Sequence, residues 1–377
     1  MKITILRVGL AIQEKEESYN VQEIGLSKAL NNLGYETDVV YFLDSIERPI
    51  HSRKNMNVTY LPCKALGHQI VIKENILSQI KSDALIVFCD NKLSSNIVIR
   101  WCRDRQLPYV CYYGLYKTDS NRFLNKMIGE FITRVNLGEL RCSVNVTKTN
   151  AVKKTLEAAG IPVRKVIPVG LDDNLLVKNV NIETREIVRG KLGVDRDSKV
   201  LLFVGRLTEV KNPLFAIEII EQLIKCGENY NLVLIGNGKL KDQVQESINK
   251  SICKGHIFYI EHVPYELMYQ YYAAADCLLN FSSIEIFGMA ILESMYYGCR
   301  VVARKAPGPL DIIEPGRNGI LLSDLNLDKW CDSIKQAMQL DCLITEGKKT
   351  VREKYMWNRI AKDFVELLEA QDEWSFR

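Results

Sequence analysis

The sequence predicts an α/β protein made of two Rossmann-like domains that face a cleft. Three observations carry that expectation. Short apolar runs alternate with helix-like stretches, the mark of parallel sheets with helices on both faces. The alternation restarts after about residue 170. The chain has 377 residues, 47% of them hydrophobic and 25% charged, which is enough for two cores of ordinary globular composition.

The elements follow in order. Ile3–Val8 reads as a first strand. Asn20–Leu33 has helical spacing, with Val21, Ile24, Leu26, Ala29, Leu30 and Leu33 on one side and Gly34 as the stop. Thr37–Phe42, Ala84–Cys89, Tyr109–Tyr113 and Val144–Thr147 read as further strands. In the second half, Val166–Val169 leads into a polar stretch, Lys178–Arg189. Lys199–Val204 is then an apolar strand, followed by a helix from about Pro213. Leu232–Ile235, Ile257–Ile260, Cys277–Asn280 and Arg300–Ala303 continue the series. The boundary is expected near 170–180. Ligands of open parallel sheets sit beyond the C-terminal strand ends, so the chemistry is expected there.

Bulk properties narrow the function classes. No apolar run reaches the roughly 18–20 residues that span a bilayer. The opening MKITILRVGL lacks a signal-peptide pattern, so a cytoplasmic protein is expected. Eleven cysteines are scattered singly, without a C-x-x-C pair, which favours reduced thiols over disulfides or metal. Net charge is +4. Residues 1–170 carry 24 Lys+Arg against 16 Asp+Glu, or +8; the remainder carries 26 against 30, or −4. A basic N-terminal half fits phospholipid headgroups or a phosphorylated acceptor, and equally a solvated surface without a partner. No nucleic-acid partner is expected. The helically spaced segment Tyr116–Val135 carries Phe123, Leu124, Met127, Ile128, Phe131, Ile132 and Val135, with Arg122, Lys126 and Arg134 among them. It reads as a core helix or as an interfacial helix that meets a lipid-linked acceptor.

Two motifs carry chemistry. In the first, a strand ends at Gly205, and a loop with Arg206 and Lys211 leads to Pro213 at a helix start. A forked guanidinium, a point-charge ammonium and free helix N–H groups make an anion site suited to a diphosphate. A strand–loop–helix with two cations is also a common structural feature. The second motif is Ser282-Ser283-Ile284-Glu285-Ile286-Phe287-Gly288-Met289-Ala290-Ile291-Leu292-Glu293-Ser294-Met295. Its carboxylates, Glu285 and Glu293, suit sugar and ribose hydroxyls. Either one alone also fits a helix N-terminal carboxylate. Asp195-Arg196-Asp197 lies in a polar loop before a strand and reads as a turn.

Together and in this order, the motifs resemble the family 4 glycosyltransferases of the GT-B fold. That family pairs G-R-x4-K with E-x7-E in a phrase S-x-x-E-x-F-G-x-x-x-L-E-S-M-x-x-G, which this chain completes at Tyr296-Tyr297-Gly298. Ile167-Pro168-Val169-Gly170-Leu171-Asp172 resembles the family's crossover between domains. Ile235-Gly236-Asn237-Gly238 resembles its G-x-G loop, and Tyr272-Ala273-Ala274-Ala275-Asp276 the segment before the next strand. Ala306–Ile313 with Gly316 and Asn318-Gly319 resembles its glycine-rich loop, and Tyr355–Ala361 the helix that returns to the first domain. The resemblance covers residues 166–365 strongly and the N-terminal half weakly.

The resemblance implies an acceptor-binding domain over residues 1–170, a nucleotide-sugar domain over 171–355, and a helix over 356–377 that packs back on the first domain. It implies a retaining hexosyltransferase without metal or other cofactor. The donor is a nucleotide sugar, UDP-linked, and the acceptor a hydroxyl of a glycan or lipid-linked molecule in cell-surface polysaccharide assembly. Arg206 and Lys211 would hold the diphosphate, Glu293 the ribose and Glu285 the transferred sugar. Arg206, Lys211 and Glu285 are the expected catalytic set. Gly205, Gly236, Asn237 and the backbone of Phe287, Gly288, Met289 and Ala290 complete the donor site. The enzyme would be cytoplasmic, in peripheral contact with the membrane through its basic half. The alternative is a same-fold nucleotide-sugar binder or partner subunit with little or no activity.

The chain departs from the family pattern in places. The first loop, Val8–Asn20, has one glycine, and its tip at Ser18, Tyr19 and Asn20 is expected at the cleft. Leu107–Gly114 lacks the frequent histidine, with Tyr113 or Gly114 in its place. Glu261, Arg300 and Asp311 replace a common Gly, Pro and Glu. His51, His68, His256 and His262 form no expected metal or base cluster.

Overall fold

The computed structural model describes residues 1–11, 21–44, 46–52, 57–67, 69–90, 92–114, 123–177, 182–195 and 197–372. The chain divides into two compact units, Met1–Asp173 with Met356–Arg377, and Asn174–Tyr355. The break falls at 173/174, three residues beyond the expected 170/171. Ser18, Tyr19, Asn20, His68, Arg196 and the start of the Tyr116–Val135 segment lie outside the described residues.

The first unit contains β1 (Lys2–Leu10), α1 (Gln22–Asn32), β2 (Glu36–Asp44), β3 (Ile50–Ser52), β4 (Val58–Leu66), β5 (Gln69–Val71), α2 (Glu74–Leu77) and β6 (Ala84–Phe88). It continues with α3 (Ser95–Asp104), β7 (Tyr109–Tyr113), α4 (Phe123–Arg141), β8 (Asn145–Thr147), α5 (Asn150–Ala158) and β9 (Lys165–Val166). The second unit contains α6 (Ile182–Leu192), β10 (Lys199–Val204), α7 (Pro213–Lys225), β11 (Tyr230–Ile235), α8 (Lys241–Lys250), β12 (Ile257–Ile260) and α9 (Tyr265–Ala274). It ends with β13 (Cys277–Asn280), α10 (Met289–Tyr297), β14 (Arg300–Arg304), α11 (Pro307–Ile312), β15 (Ile320–Leu322), α12 (Leu327–Gln339) and α13 (Cys342–Lys354). The last helix, α14 (Trp357–Asp372), belongs to the first unit.

The first sheet runs β3-β4-β2-β1-β6-β7-β8-β9, with β5 on β4. All its pairings are parallel except those of β3 and β5 with β4. The unbroken apolar run of β6, buried at every position, marks a strand covered on both faces. The strand β4 is not legible as one in sequence because Pro62 interrupts it. In the sheet Pro62 falls between the stretch paired with β3, which ends at Tyr60, and the stretch paired with β5, which begins at Lys64. No antiparallel partner needs its missing N–H there. The expected strand Val166–Val169 shrinks to Lys165–Val166, because Pro168 cannot donate to a ladder.

The returning helix docks through Trp357, which is buried. The Trp357 amide donates to the Leu171 carbonyl at 3.0 Å. Two glycines permit the approach: a Cβ on Gly25 would stand 2.4 Å from Trp357 Nε1, and one on Gly170 would stand 2.6 Å from the Trp357 amide nitrogen. Further along, Phe364 meets Tyr112 edge-on at 5.1 Å.

The second sheet is entirely parallel in order β12-β11-β10-β13-β14-β15. The succession of strands reverses between β10 and β13, the topological switch point where open α/β sheets place ligands. The polar stretch Lys178–Arg189 becomes α6 over Ile182–Leu192. Its purpose is electrostatic. Arg185 and Arg189 reach the buried Asp276 at 2.5 and 2.6 Å, and the Val200 amide donates to the same carboxylate at 2.8 Å. This network ties α6 to the strand entrances of β10 and β13. All eleven cysteines are free thiols, seven of them buried. No described helix is long and apolar enough to cross a membrane.

Candidate active site

The site lies at the switch point of the second unit. The first loop leaves β10 at Gly205, turns through a 3-10 segment at Glu209–Lys211, and enters α7 after Asn212. Asn212 is left-handed, with φ 49°, and Pro213 opens the helix, where its missing N–H costs nothing. Beside it the β11 loop passes very close. A Cβ on Gly236 would sit 1.9 Å from the Gly205 carbonyl oxygen, and one on Gly238 2.4 Å from that of Leu207. Backbone bonds stitch the loops together, from the Gly205 amide to Ile235 O and from the Leu207 amide to Asn237 O.

The second loop leaves β13 at Asn280 and reaches Gly288, the N-cap of α10, with φ 103°. That conformation suits glycine alone among ordinary residues. Phe287 is buried, with its ring edge-on to Tyr355, so only its backbone faces the loop chemistry. Gly308 makes room for it: a Cβ there would stand 1.9 Å from the Phe287 carbonyl oxygen. Met289 and Ala290 occupy the first turn of α10, whose N–H groups lack intrahelical acceptors. They provide the donor end of a helix dipole.

These loops bring Lys211 and Glu285 together. The Lys211 ammonium donates to Glu285 Oε2 at 2.5 Å, and Asn280 Nδ2 donates to the same oxygen at 3.4 Å. Arg206 stands exposed at the end of β10, and among the described residues no carboxylate pairs with it. Glu293 is placed differently. It is the fifth residue of α10, one turn deeper than a first-turn carboxylate, and only 1% exposed. The Tyr272 hydroxyl donates to its Oε2 at 2.7 Å. Glu293 lines a small pocket with Leu175, Tyr265, Tyr269, Tyr272 and Tyr297, in which the Tyr272 and Tyr297 rings stack at 6.1 Å.

Nothing in the sequence pairs Tyr272 with Glu293, although Tyr272 opens the Tyr272–Asp276 segment before β13. Nor does the sequence mark the clamp on the β11 loop. Asn237 Nδ2 and the Lys241 ammonium both donate to Glu261, at 2.7 and 2.5 Å. Glu261, where a glycine is common, thus holds Asn237 in place. His256 shares a hydrogen bond with Asn231 at 3.2 Å, and His262 is exposed. Among the described residues, no three His, Cys, Asp or Glu groups gather as a metal cage would require.

Arg206 and the Lys211–Glu285 pair lie on loops at the switch point of the sheet, and Glu293 lines its own pocket on α10, an arrangement that invites comparison with known enzymes. Residues 184–354 match the family described as Glycosyl transferases group 1. The match contains both loops and every candidate site residue. An uncharacterised glycosyltransferase of Methanocaldococcus jannaschii is 29% identical over 205 residues, covering 53% of this chain and 52% of that one. A D-inositol 3-phosphate glycosyltransferase of Corynebacterium urealyticum is 28% identical over 192 residues, covering 48% and 45%. The chain spans about half the length of these curated relatives. The crystal structure of Anabaena HepE in complex with UDP and glucose has the same fold, with a TM-score of 0.73 at 17% identity over 98% of this chain and 99% of that one. The likeness spans both units, so the chain has the fold of two Rossmann-like domains along its length.

Proposed function

We propose that the protein is a retaining glycosyltransferase of family 4 type. It would move a hexose from a UDP-linked donor to a hydroxyl of a glycan or lipid-linked acceptor in cell-surface polysaccharide assembly. The observation that carries this proposal is the Lys211–Glu285 pair beside Arg206 and the α10 amides, at the switch point of a group 1 domain. The HepE structure, a complex with UDP and glucose, supports the choice of donor.

The chemistry asks little covalent work of the protein. The bond from the anomeric carbon to the diphosphate breaks as the acceptor oxygen bonds to the same face, and the acceptor proton passes to the departing phosphate. Catalysis is then positioning plus stabilisation of leaving-group charge. Arg206, Lys211 and the amides of Met289 and Ala290 would take up that charge, with no metal or other cofactor. As Lys211 turns to the diphosphate, Glu285 can accept bonds from the sugar hydroxyls. Glu293, oriented by Tyr272, would serve the ribose. The first unit would bind the acceptor, and the membrane would be met at the cytoplasmic face through α4.

The test is thermal unfolding with a panel of nucleotide sugars, followed by product release with and without acceptor in excess chelator. Mass action predicts that the true donor raises the melting temperature. The proposal fails if no nucleotide sugar does so, or if chelator abolishes turnover and a divalent ion restores it.

A further inference from the structure

Arg206 sits between two residues whose amides are both anchored, but by different means. The Gly205 amide donates to Ile235 O at 3.0 Å, which continues the pairing of β10 with β11. The Leu207 amide donates at 2.9 Å to Asn237 O, which belongs to a loop and not to a strand. Leu207 is fully buried, so its amide has no water to turn to if that carbonyl moves. The backbone from which Arg206 projects therefore depends on the orientation of the peptide that joins Asn237 to Gly238.

A glycine at 238 offers little resistance to rotation of that peptide. Side chains hold it instead. The Gly238 amide donates to Asn237 Oδ1 at 2.6 Å, and Asn237 Nδ2 donates to Glu261 Oε1 at 2.7 Å. Glu261 stands just past β12, and its other oxygen accepts the Lys241 ammonium of α8 at 2.5 Å. The preceding residue of the loop needs no such help. The Gly236 amide donates to Ile260 O at 3.0 Å, and the Tyr259 hydroxyl donates to Gly236 O at 3.1 Å, so β12 itself fixes it. Glu261 extends that hold by one peptide, through a side chain. Glu261 is exposed, so its ion pair with Lys241 adds little to the stability of the unit. What it fixes is local geometry beside Arg206.

We propose that Glu261 is a positioning residue of the donor site. It holds the Asn237–Gly238 peptide with its carbonyl toward Leu207, and so keeps Arg206 in the place from which it meets a diphosphate. It acts through Arg206 and not by touching the ligand. This rests on the donor reading proposed above.

The experiment has two parts, both on the full chain. The first needs no ligand. Hydrogen exchange of segment 203–212 should quicken in Glu261→Ala and keep the native rate in Glu261→Gln, whose amide oxygen can still accept Asn237 Nδ2. The second is calorimetric titration of UDP. Glu261→Ala should weaken UDP binding about three- to tenfold, the scale of one lost hydrogen bond. Glu261→Gln should restore it. Both variants lose the same charge, so the difference between them belongs to the hydrogen bond. In an Arg206→Ala background, Glu261→Ala should have no further effect, because the two act as one. Unchanged exchange in Glu261→Ala, a Glu261→Gln variant as weak as Glu261→Ala, or full additivity with Arg206→Ala would overturn the proposal. A native chain that binds no UDP refutes the donor reading, and with it the diphosphate role, whatever the exchange shows. A native chain that binds UDP, beside an indifferent Glu261→Ala, refutes the positioning role alone.

Discussion

Lys211 and Glu285 meet at 2.5 Å across 74 residues of sequence, one at the exit of β10 and the other beyond β13. Neither strand follows the other in the chain, yet they are neighbours in the sheet. The pair keeps a cation and a carboxylate satisfied until a charged ligand arrives. If the chain binds a nucleotide sugar as proposed, the diphosphate and the sugar would offer each of them a replacement partner, and binding would exchange one ion pair for two sets of contacts.

The cations should matter most to the rate. Arg206→Ala and Lys211→Ala are each expected to lower transfer roughly tenfold to a thousandfold, the scale of removing a charged transition-state stabiliser. Circular dichroism should show both variants folded, since Arg206 is exposed and Lys211 half-buried. Near-normal turnover in both would remove them from the mechanism.

The two carboxylates should separate. Glu285→Gln is expected to lower kcat and alter sugar preference, because contacts to the sugar strengthen as its ring flattens. Glu293→Gln should weaken binding of free UDP, because a ribose contact is made in ground and transition states alike. Tyr272→Phe should follow Glu293→Gln with a smaller effect, since it removes only the hydrogen bond that orients the carboxylate. Titration of UDP into all three variants decides it: weaker UDP binding in Glu285→Gln alone would reverse the placement.

Acid should strike the second unit through Asp276. Burial opposes its ionisation, but the Arg185 charge, the Val200 amide and Arg189 override this and hold it below the usual carboxylate range. Its contribution to stability is therefore complete above the unfolded value, about pH 4, and is lost as pH falls through the lower folded value. Asp276→Asn should cost about 3–5 kcal/mol near neutrality, as breaking a buried ion pair does. It should also flatten the acid limb. Urea unfolding between pH 2 and pH 7 checks both, and an unchanged acid limb in the variant would exclude Asp276 as its source.

The apolar face of α4 should govern membrane contact. Met127, Ile128, Phe131 and Val135 are exposed on this helix, Phe131 by 61%, while Ile132 is buried against the unit. That divides the two readings of the segment, since one face is core and the other open. Phosphatidylglycerol vesicles should sediment the protein at low salt, attracted by the basic first unit. Phe131→Ser with Ile128→Ser should abolish that and leave the melting temperature nearly unchanged. Sedimentation that persists in the double variant would place the contact elsewhere.

Much of this molecule is local and could be read locally. Lys199–Val204, Ile257–Ile260 and Cys277–Asn280 are strands at the residues expected of them, because a buried parallel strand is an unbroken apolar run bounded by turn residues. Arg206 and Lys211 are legible from the G-R-x4-K spacing at the end of a strand, and Glu285 and Glu293 from the E-x7-E spacing around Gly288, whose φ of 103° suits glycine. What sequence could not decide is who touches whom. Strand order places Lys211 on Glu285, Tyr272 on Glu293, and Asn237 on Glu261. It also turns a polar stretch into α6, since Arg185 and Arg189 gain their meaning only from Asp276, 91 and 87 residues away. Periodicity and turn chemistry act over a few residues, whereas these contacts depend on sheet order and on which side chains packing leaves room for, and only the tertiary structure sets those.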